Sequence, residues 1–471
     1  MVGNKLNAYI KNYLYLDLRS LALARIGIGF IIIFDLAIRY RQLEDHYTIN
    51  GVMPNSVRLK ALANPLFSIH NLNESAAFQT ILFIAAGLVA FTLLVGFKTK
   101  ISTIVSWLLL VSLQNRNELI LFGGDMLLAM TLFWGMFLPW GKKFSVDALK
   151  NKTSETKYVG IAGIGFILQV SYLYILSAIF KTNEMWTTEG SATYYALTSR
   201  TPQKPWVNLL IPHADILQIA TYLIYVLELV GPFFIFLPIF KDKLRFAVVS
   251  SLIALHVGLI SFMFLLFFPI LNITVLMALL PSIVWKQKPD TNNFVQDQKW
   301  KNILAFAFIA FFYYLNLNSF NSALAPKPQI IAQVERNFRL RQKWVMYARP
   351  PHRSEWVVVK GKTQQGNDVD LKQGTLANID YSRPKYSFTL IPQRGWVKFE
   401  EVLKRDLYPG QMDLYTRFWC EKWNKNNEDK IETLELINVY QEYDAATQSN
   451  SEIKQELLKT TECSFNTSLQ G

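Results

Sequence analysis

Apolar runs long enough to cross a lipid bilayer fill the chain before Phe320 and stop there. The hydrocarbon core demands about 20 mostly apolar residues per helical crossing. Stretches of that kind lie at about 20–39, 76–97, 101–117, 121–141, 159–181, 215–240, 244–265, 266–286 and 301–319, about nine in all. The seventh and eighth are divided only around Phe268 and Pro269, so eight is the nearest alternative count. Inside lipid a backbone must satisfy its own polar groups, and apolar runs of this length do so as helices. The first run carries Arg25 and Asp35 and lacks a small-residue cleavage site after a short apolar core, which predicts a retained helix rather than a signal peptide. Residues 1–320 therefore read as a polytopic α-helical membrane bundle of about nine transmembrane helices, and residues 321–471 as a small α+β domain.

The net charge of +13 belongs mostly to the apolar part, because from Phe320 onward there are 22 basic and 19 acidic residues. Basic residues beside apolar helices anchor to anionic headgroups and set orientation, so the lipid bilayer is the expected partner and nucleic acid is not. Counting from a cytoplasmic N-terminus, the inside segments hold Lys5, Lys11 and Arg19; Lys98 and Lys100; Lys142, Lys143, Lys150, Lys152 and Lys157; Lys241, Lys243 and Arg245; and Lys286, Lys288 and Lys299. The outside connections hold about half as many. Nine crossings and this bias agree on one topology in the cell (inner) membrane, with the N-terminus in the cytoplasm and the C-terminal domain extracytoplasmic.

In that domain Trp356–Gly361 reads as a strand, Gln364–Asp368 as a turn around Gly366, Val369–Leu371 as its return, and Thr433–Tyr443 as a further strand. The two cysteines, Cys420 and Cys463, both fall there. An oxidising compartment favours a disulfide between them, and two buried thiols are the alternative.

Ionisable residues at bilayer depth are costly unless they face a protein interior or water, so each is a site candidate. Asp35 and Arg39 stand four apart on one face of the first helix, either as an internal pair that fixes packing or as part of a site. Arg25 lies on the same helix, and Asp125 stands near a helix start, where capping explains it as well as function does. Lys181 closes the fifth run and precedes Trp186; it either snorkels to water or, if partly desolvated, accepts a proton. Glu228 precedes Gly231 and Pro232, a break that can open a helix near a cavity. His256 lies well inside the seventh run, as a core histidine or a working one. Histidines and cysteines at metal-ligand spacing are missing, as are a phosphate-binding loop, a dinucleotide fingerprint and a nucleophile elbow.

Several weak motifs follow one another along most of the chain. They are Leu21–Asp35 with Arg25, Tyr47–Pro54 (YTINGVMP), Phe133–Asp147 (FWGMFLPWGKKFSVD), Lys181–Gly190 (KTNEMWTTEG), Glu228–Pro232 (ELVGP), Arg245–His256, and Gln342–Gly361 with Trp344, Met346, Pro350 and Trp356. In this order they resemble the HTTM family, the membrane domain shared with vitamin K-dependent gamma-carboxylases. The resemblance implies that Lys181, with Trp186 and Gly190 at matching spacing, is the base that deprotonates a reduced quinone such as vitamin K hydroquinone. It further implies that His256 occupies a carboxylase position and that oxygen and carbon dioxide are co-substrates. A carboxylase histidine between crossings three and four has no counterpart, since Asn115, Arg116 and Asn117 stand there, and the outer domain is smaller than a carboxylase's. A bacterial branch with a similar layout serves the maturation of secreted peptide toxins. Two functions are therefore expected: a quinol-dependent enzyme modifying a secreted peptide or protein, or a non-catalytic membrane factor for maturation, export or assembly of such a client.

Overall fold

The computed structural model describes residues 9–61, 66–199, 202–240, 242–265, 267–286, 294–376, 379–385, 388–404 and 410–463. Lys5, Lys241 and Lys288 of the charge pattern lie outside the described residues. Asp17 starts the first long helix by accepting the Arg19 amide at 2.9 Å, which satisfies one of the donors that a helix start leaves open. The helices that concern the site are α1 (Leu18–Tyr40), α2 (Leu43–Tyr47), α3 (Ala76–Val95), α4 (Thr99–Arg116), α5 (Gly123–Gly135), α6 (Ile161–Ile179), α7 (Ala214–Phe234), α8 (Asp242–Phe262), α9 (Phe267–Met277) and α10 (Lys299–Phe320).

Among the described residues, six of these are long and apolar enough to cross a membrane: α1, α3, α6, α7, α8 and α10. The other three expected crossings fall on lesser helices. α4 has 18 residues but ends in Gln114, Asn115 and Arg116, all buried. α5 stops after 13 residues at Gly135, ahead of Pro139. α9 has 11 residues and starts at Phe267, so that Pro269 sits in its first turn, where a missing N–H breaks no helical bond.

The connections that the charge pattern groups together meet at one end of the bundle. There β1 (Leu16–Asp17) pairs antiparallel with β2 (Lys157–Val159), which pairs parallel with β3 (Phe294–Gln296). Tyr15 donates to Asp242 at 2.7 Å, and Asp147 accepts the Lys98 and Thr99 amides at 2.9 and 2.7 Å.

The C-terminal region is built on the antiparallel pair β4 (Arg353–Thr363) and β7 (Ile431–Asp444), with β5 (Asp368–Asp370) and β6 (Thr375–Leu376) beyond β4 and with β8 (Ser449–Asn450) and β9 (Lys454–Glu462) along β7. The expected strands Trp356–Gly361 and Thr433–Tyr443 lie inside β4 and β7, Val369–Leu371 overlaps β5 and runs one residue past it, and the turn at Gly366, with its φ of 83°, joins β4 to β5. β9 was not expected: its sequence KQELLKTTE is mostly exposed and barely alternates. Val357, Val359, Leu434 and Leu436 pack one face of the sheet on α11 (Arg394–Leu403) and α12 (Gln411–Asn426), while Trp356, Val358, Ile437 and Val439 form a second small core on the other face. Cys420 on α12 is disulfide-bonded to Cys463 just past β9, their Cα atoms 5.6 Å apart.

Candidate functional site

Tyr174, Ser177 and Lys181 recur at spacings of three and four and so share one face at the end of α6, which packs on α7. Lys181 lies two residues beyond the last residue of α6, yet its side chain is only 2 % exposed. Its ammonium donates to Ser177 Oγ at 3.3 Å, forms an ion pair with Glu228 of α7 and lies 4.7 Å from the centre of the Trp186 ring. The snorkelling alternative therefore does not hold: the lysine turns inward to a carboxylate and an aromatic face. Asn183 caps the short helix Glu184–Thr187 that carries Trp186, and the Trp186 indole donates to the Tyr347 carbonyl at 2.8 Å, so the C-terminal region supplies part of the wall. Gly190 adopts φ +68°, and a side chain there would run into Gln218 and Tyr222 of α7. That close approach holds the Lys181–Gly190 loop against the helix bearing Glu228.

His256 on α8 joins the same region. Its Nε2 is 2.8 Å from the Tyr174 hydroxyl, which also reaches Asn272 of α9 at 3.5 Å. Its Nδ1 is buried with no partner among the described residues. Tyr174 lies within electrostatic range of Glu228. Lys181, Glu228, Trp186 and His256 thus gather around α6.

The other candidates go elsewhere. Arg25 donates to the carbonyls of Leu93, Leu94 and Trp140 at 2.7, 2.7 and 3.2 Å and to that of Phe144, capping the end of α3. A guanidinium at a helix C-terminus satisfies open carbonyls and opposes the helix dipole, so this arginine is structural. Asp35 and Asp125 meet at Arg39, whose Nε donates to Asp35 at 2.8 Å and whose Nη2 pairs with Asp125. Asp125 also accepts the Phe122 amide at 2.8 Å, so capping and ion pairing are both present.

The fourth charge in this cluster carries no local signal along the chain. Arg394, the first residue of α11, pairs with the second oxygen of Asp35, and its guanidinium lies 4.4 Å from the Phe267 ring. Tyr47 completes the group by accepting from Arg39 at 3.0 Å. Around it Trp396 donates to Asp45 at 3.1 Å, Lys422 donates to the same carboxylate at 2.8 Å, and His46 packs 4.5 Å from the Trp396 ring. Burial pushes the His46 imidazole down to about 3, and neither ring nitrogen has a partner among the described residues. No local pattern in Arg394 or His46 distinguishes them from ordinary surface residues, because their environment comes from a segment about 350 residues distant.

Among the described residues there is no group of three or more His, Cys, Asp or Glu side chains placed to hold a metal ion. Compared with protein-family models, curated proteins and solved structures, the chain matches none of them.

Proposed function

We propose that the chain is a multi-pass membrane enzyme in which Lys181 handles a proton during modification of an extracytoplasmic peptide or protein. The observation that carries this reading is the buried Lys181 ammonium held between Glu228, Ser177 and the Trp186 ring. An ammonium is an acid, so for Lys181 to serve as a base its own proton must first pass to Glu228, the carboxylate already in contact. Tyr174 and His256 extend this proton-carrying set across α6 and α8. The bundle is read as crossing the membrane nine times with the C-terminal domain outside. Support for that orientation comes from the meeting of the basic connections at one end of the bundle and from the Cys420–Cys463 bond in the C-terminal domain.

The resemblance to gamma-carboxylases points to a reduced quinone as cofactor. The residues present fit its ring in one respect: His256 Nδ1 is a buried polar atom without a partner, close to the Phe268 ring and to Tyr174. His256 and Phe268 would hold it, and a bound quinol would supply the reducing chemistry with oxygen and carbon dioxide as co-substrates. The chain's own part is to orient the ring, keep water away and move protons at Lys181 Nζ and Glu228.

The test is quinol consumption by the purified full chain in nanodiscs given a reduced naphthoquinone and oxygen. Lys181→Ala is expected to abolish consumption at unchanged membrane abundance, and Lys181→Arg to abolish it too, because a guanidinium does not release its proton. Full activity in Lys181→Arg overturns the reading. The second reading, a non-catalytic factor for client maturation, is favoured by Arg25 and Arg245, which bond to backbone carbonyls inside the bundle and so serve packing. Client maturation that survives Lys181→Ala, with no quinol consumed by the unaltered chain, selects it.

A further inference from the structure

A lateral cleft lies between α1, α3 and α4, sharing no lining residue with the Lys181 cluster. Its walls are apolar apart from Asp35, His70 and Ser106. Half-buried Leu82 and Leu109 stand at the rim, beside the exposed Ile84 and Leu108 of the same two helices, so the mouth faces the side that apolar lipid would cover.

The hydrogen-bond state of His70 follows from its neighbours. Gln79 donates through Nε2 to the carbonyls of His70 and Asn73, both at 2.8 Å, and carbonyl oxygens can only accept, so its amide orientation is settled. Gln79 Oε1 then faces His70 Nδ1 at 2.6 Å, and the proton between them belongs to the histidine. His70 Nε2 is therefore the bare nitrogen of a neutral ring, and no hydrogen bond reaches it from the described residues. Burial keeps the ring neutral, pushing it down to about 4.

Ser106 carries the second orphan. Its neighbours on α4 return their hydroxyls to the preceding turn, Ser102 to Phe97 and Lys98 and Thr103 to Thr99. Ser106 is 4 % exposed, and its hydroxyl makes no hydrogen bond among the described residues. Asp35, by contrast, is ion-paired with both Arg39 and Arg394, so its charge is balanced and not left to recognise a charged headgroup.

We propose that this cleft binds the hydroxyl end of an uncharged lipid, with His70 Nε2 accepting its O–H and the Ser106 hydroxyl donating to its oxygen. The apolar wall takes the remainder of the molecule. A phenolic or quinol head and a long-chain or isoprenoid alcohol present the same chemistry here. The site stands whether or not Lys181 is catalytic.

Photolabelling of the full chain in phosphatidylcholine nanodiscs tests it with three diazirine probes: a long-chain alcohol, its methyl ether, and a hydroquinone carrying the same chain. Peptides containing 82–86 or 106–113 are expected to be labelled by the alcohol or the hydroquinone about fivefold or more above the ether, the ratio a single hydrogen bond provides. The stronger of the two identifies the source. Ser106→Ala removes a hydroxyl that holds nothing in the fold and should reduce labelling about as much. His70→Phe, scored alongside by its unfolding temperature, should do the same. Equal labelling by the ether, or undiminished labelling in a folded Ser106→Ala protein, overturns the proposal.

Discussion

Two clusters of buried charge in this bundle are made of the same kinds of groups and are closed in different ways. In one, Arg39 holds Asp35 and Asp125 while Arg394 takes the remaining oxygen of Asp35, with Tyr47 filling another donor position. In the other, Lys181 holds a single carboxylate among the described residues, Glu228, whose side chain remains 13 % exposed, and the nearby His256 has a ring nitrogen with no partner there. A guanidinium held among carboxylates does not release its proton, whereas a lysine against one carboxylate can exchange one. Several charges locked to one another mark a clamp, and a lone lysine–carboxylate pair marks a place where chemistry has room.

The largest expected effect breaks the clamp. Arg394→Leu leaves Asp35 with an unsatisfied buried oxygen and should cost about 3–5 kcal/mol, the loss that follows removal of one partner from a buried pair. A lowered unfolding temperature in detergent, together with faster proteolytic release of the C-terminal domain, checks this. An unchanged midpoint would show that the two regions are held by α11 packing alone.

Acid should open the same cluster from within. His46 sits at about 3 in the folded chain against an ordinary 6.5, so below pH 6.5 the unfolded chain binds more protons than the folded one. Stability from this residue is complete above that pH and declines as pH falls toward the folded value, by up to about 1.4 kcal/mol per pH unit. Unfolding temperatures compared at pH 7.5 and 5.0 should diverge, and His46→Phe, which loses no hydrogen bond, should narrow the gap.

The smallest stability effect is expected at the open cluster. Glu228→Gln keeps the shape and an acceptor, and Lys181 can relieve the lost charge by releasing its proton, so the cost should be about 1 kcal/mol. A loss as large as that of Arg394→Leu would mean that the Lys181 pair is a second clamp.

Much of this architecture was legible along the chain. Six of the nine apolar runs became helices long and apolar enough to cross a membrane among the described residues, and the other three carry shorter or more polar ones, because an apolar segment fixes its own backbone bonding wherever it is placed. Strands β4, β5 and β7 followed from local alternation and from the glycine turn. The unequal lengths of α4, α5 and α9 were less legible, since hydropathy does not register that Arg116 is bonded to Met53 and Glu74 or that α5 stops at Gly135. Likewise, Asp35, Arg39 and Asp125 were each visible as costly residues, but not their union with Arg394.

The sequence by itself determined that the first 320 residues form apolar helices, that a sheet domain follows, and that a handful of charged residues must find partners inside. Each of those facts depends on a residue and its near neighbours, through hydrophobicity, backbone bonding and the cost of burying charge. Only the tertiary structure decided which charges became a clamp and which a candidate site. Pairing is a property of contacts between distant segments, Asp35 with Arg394 and Lys181 with Glu228, and chain order does not encode which of several costly groups will meet.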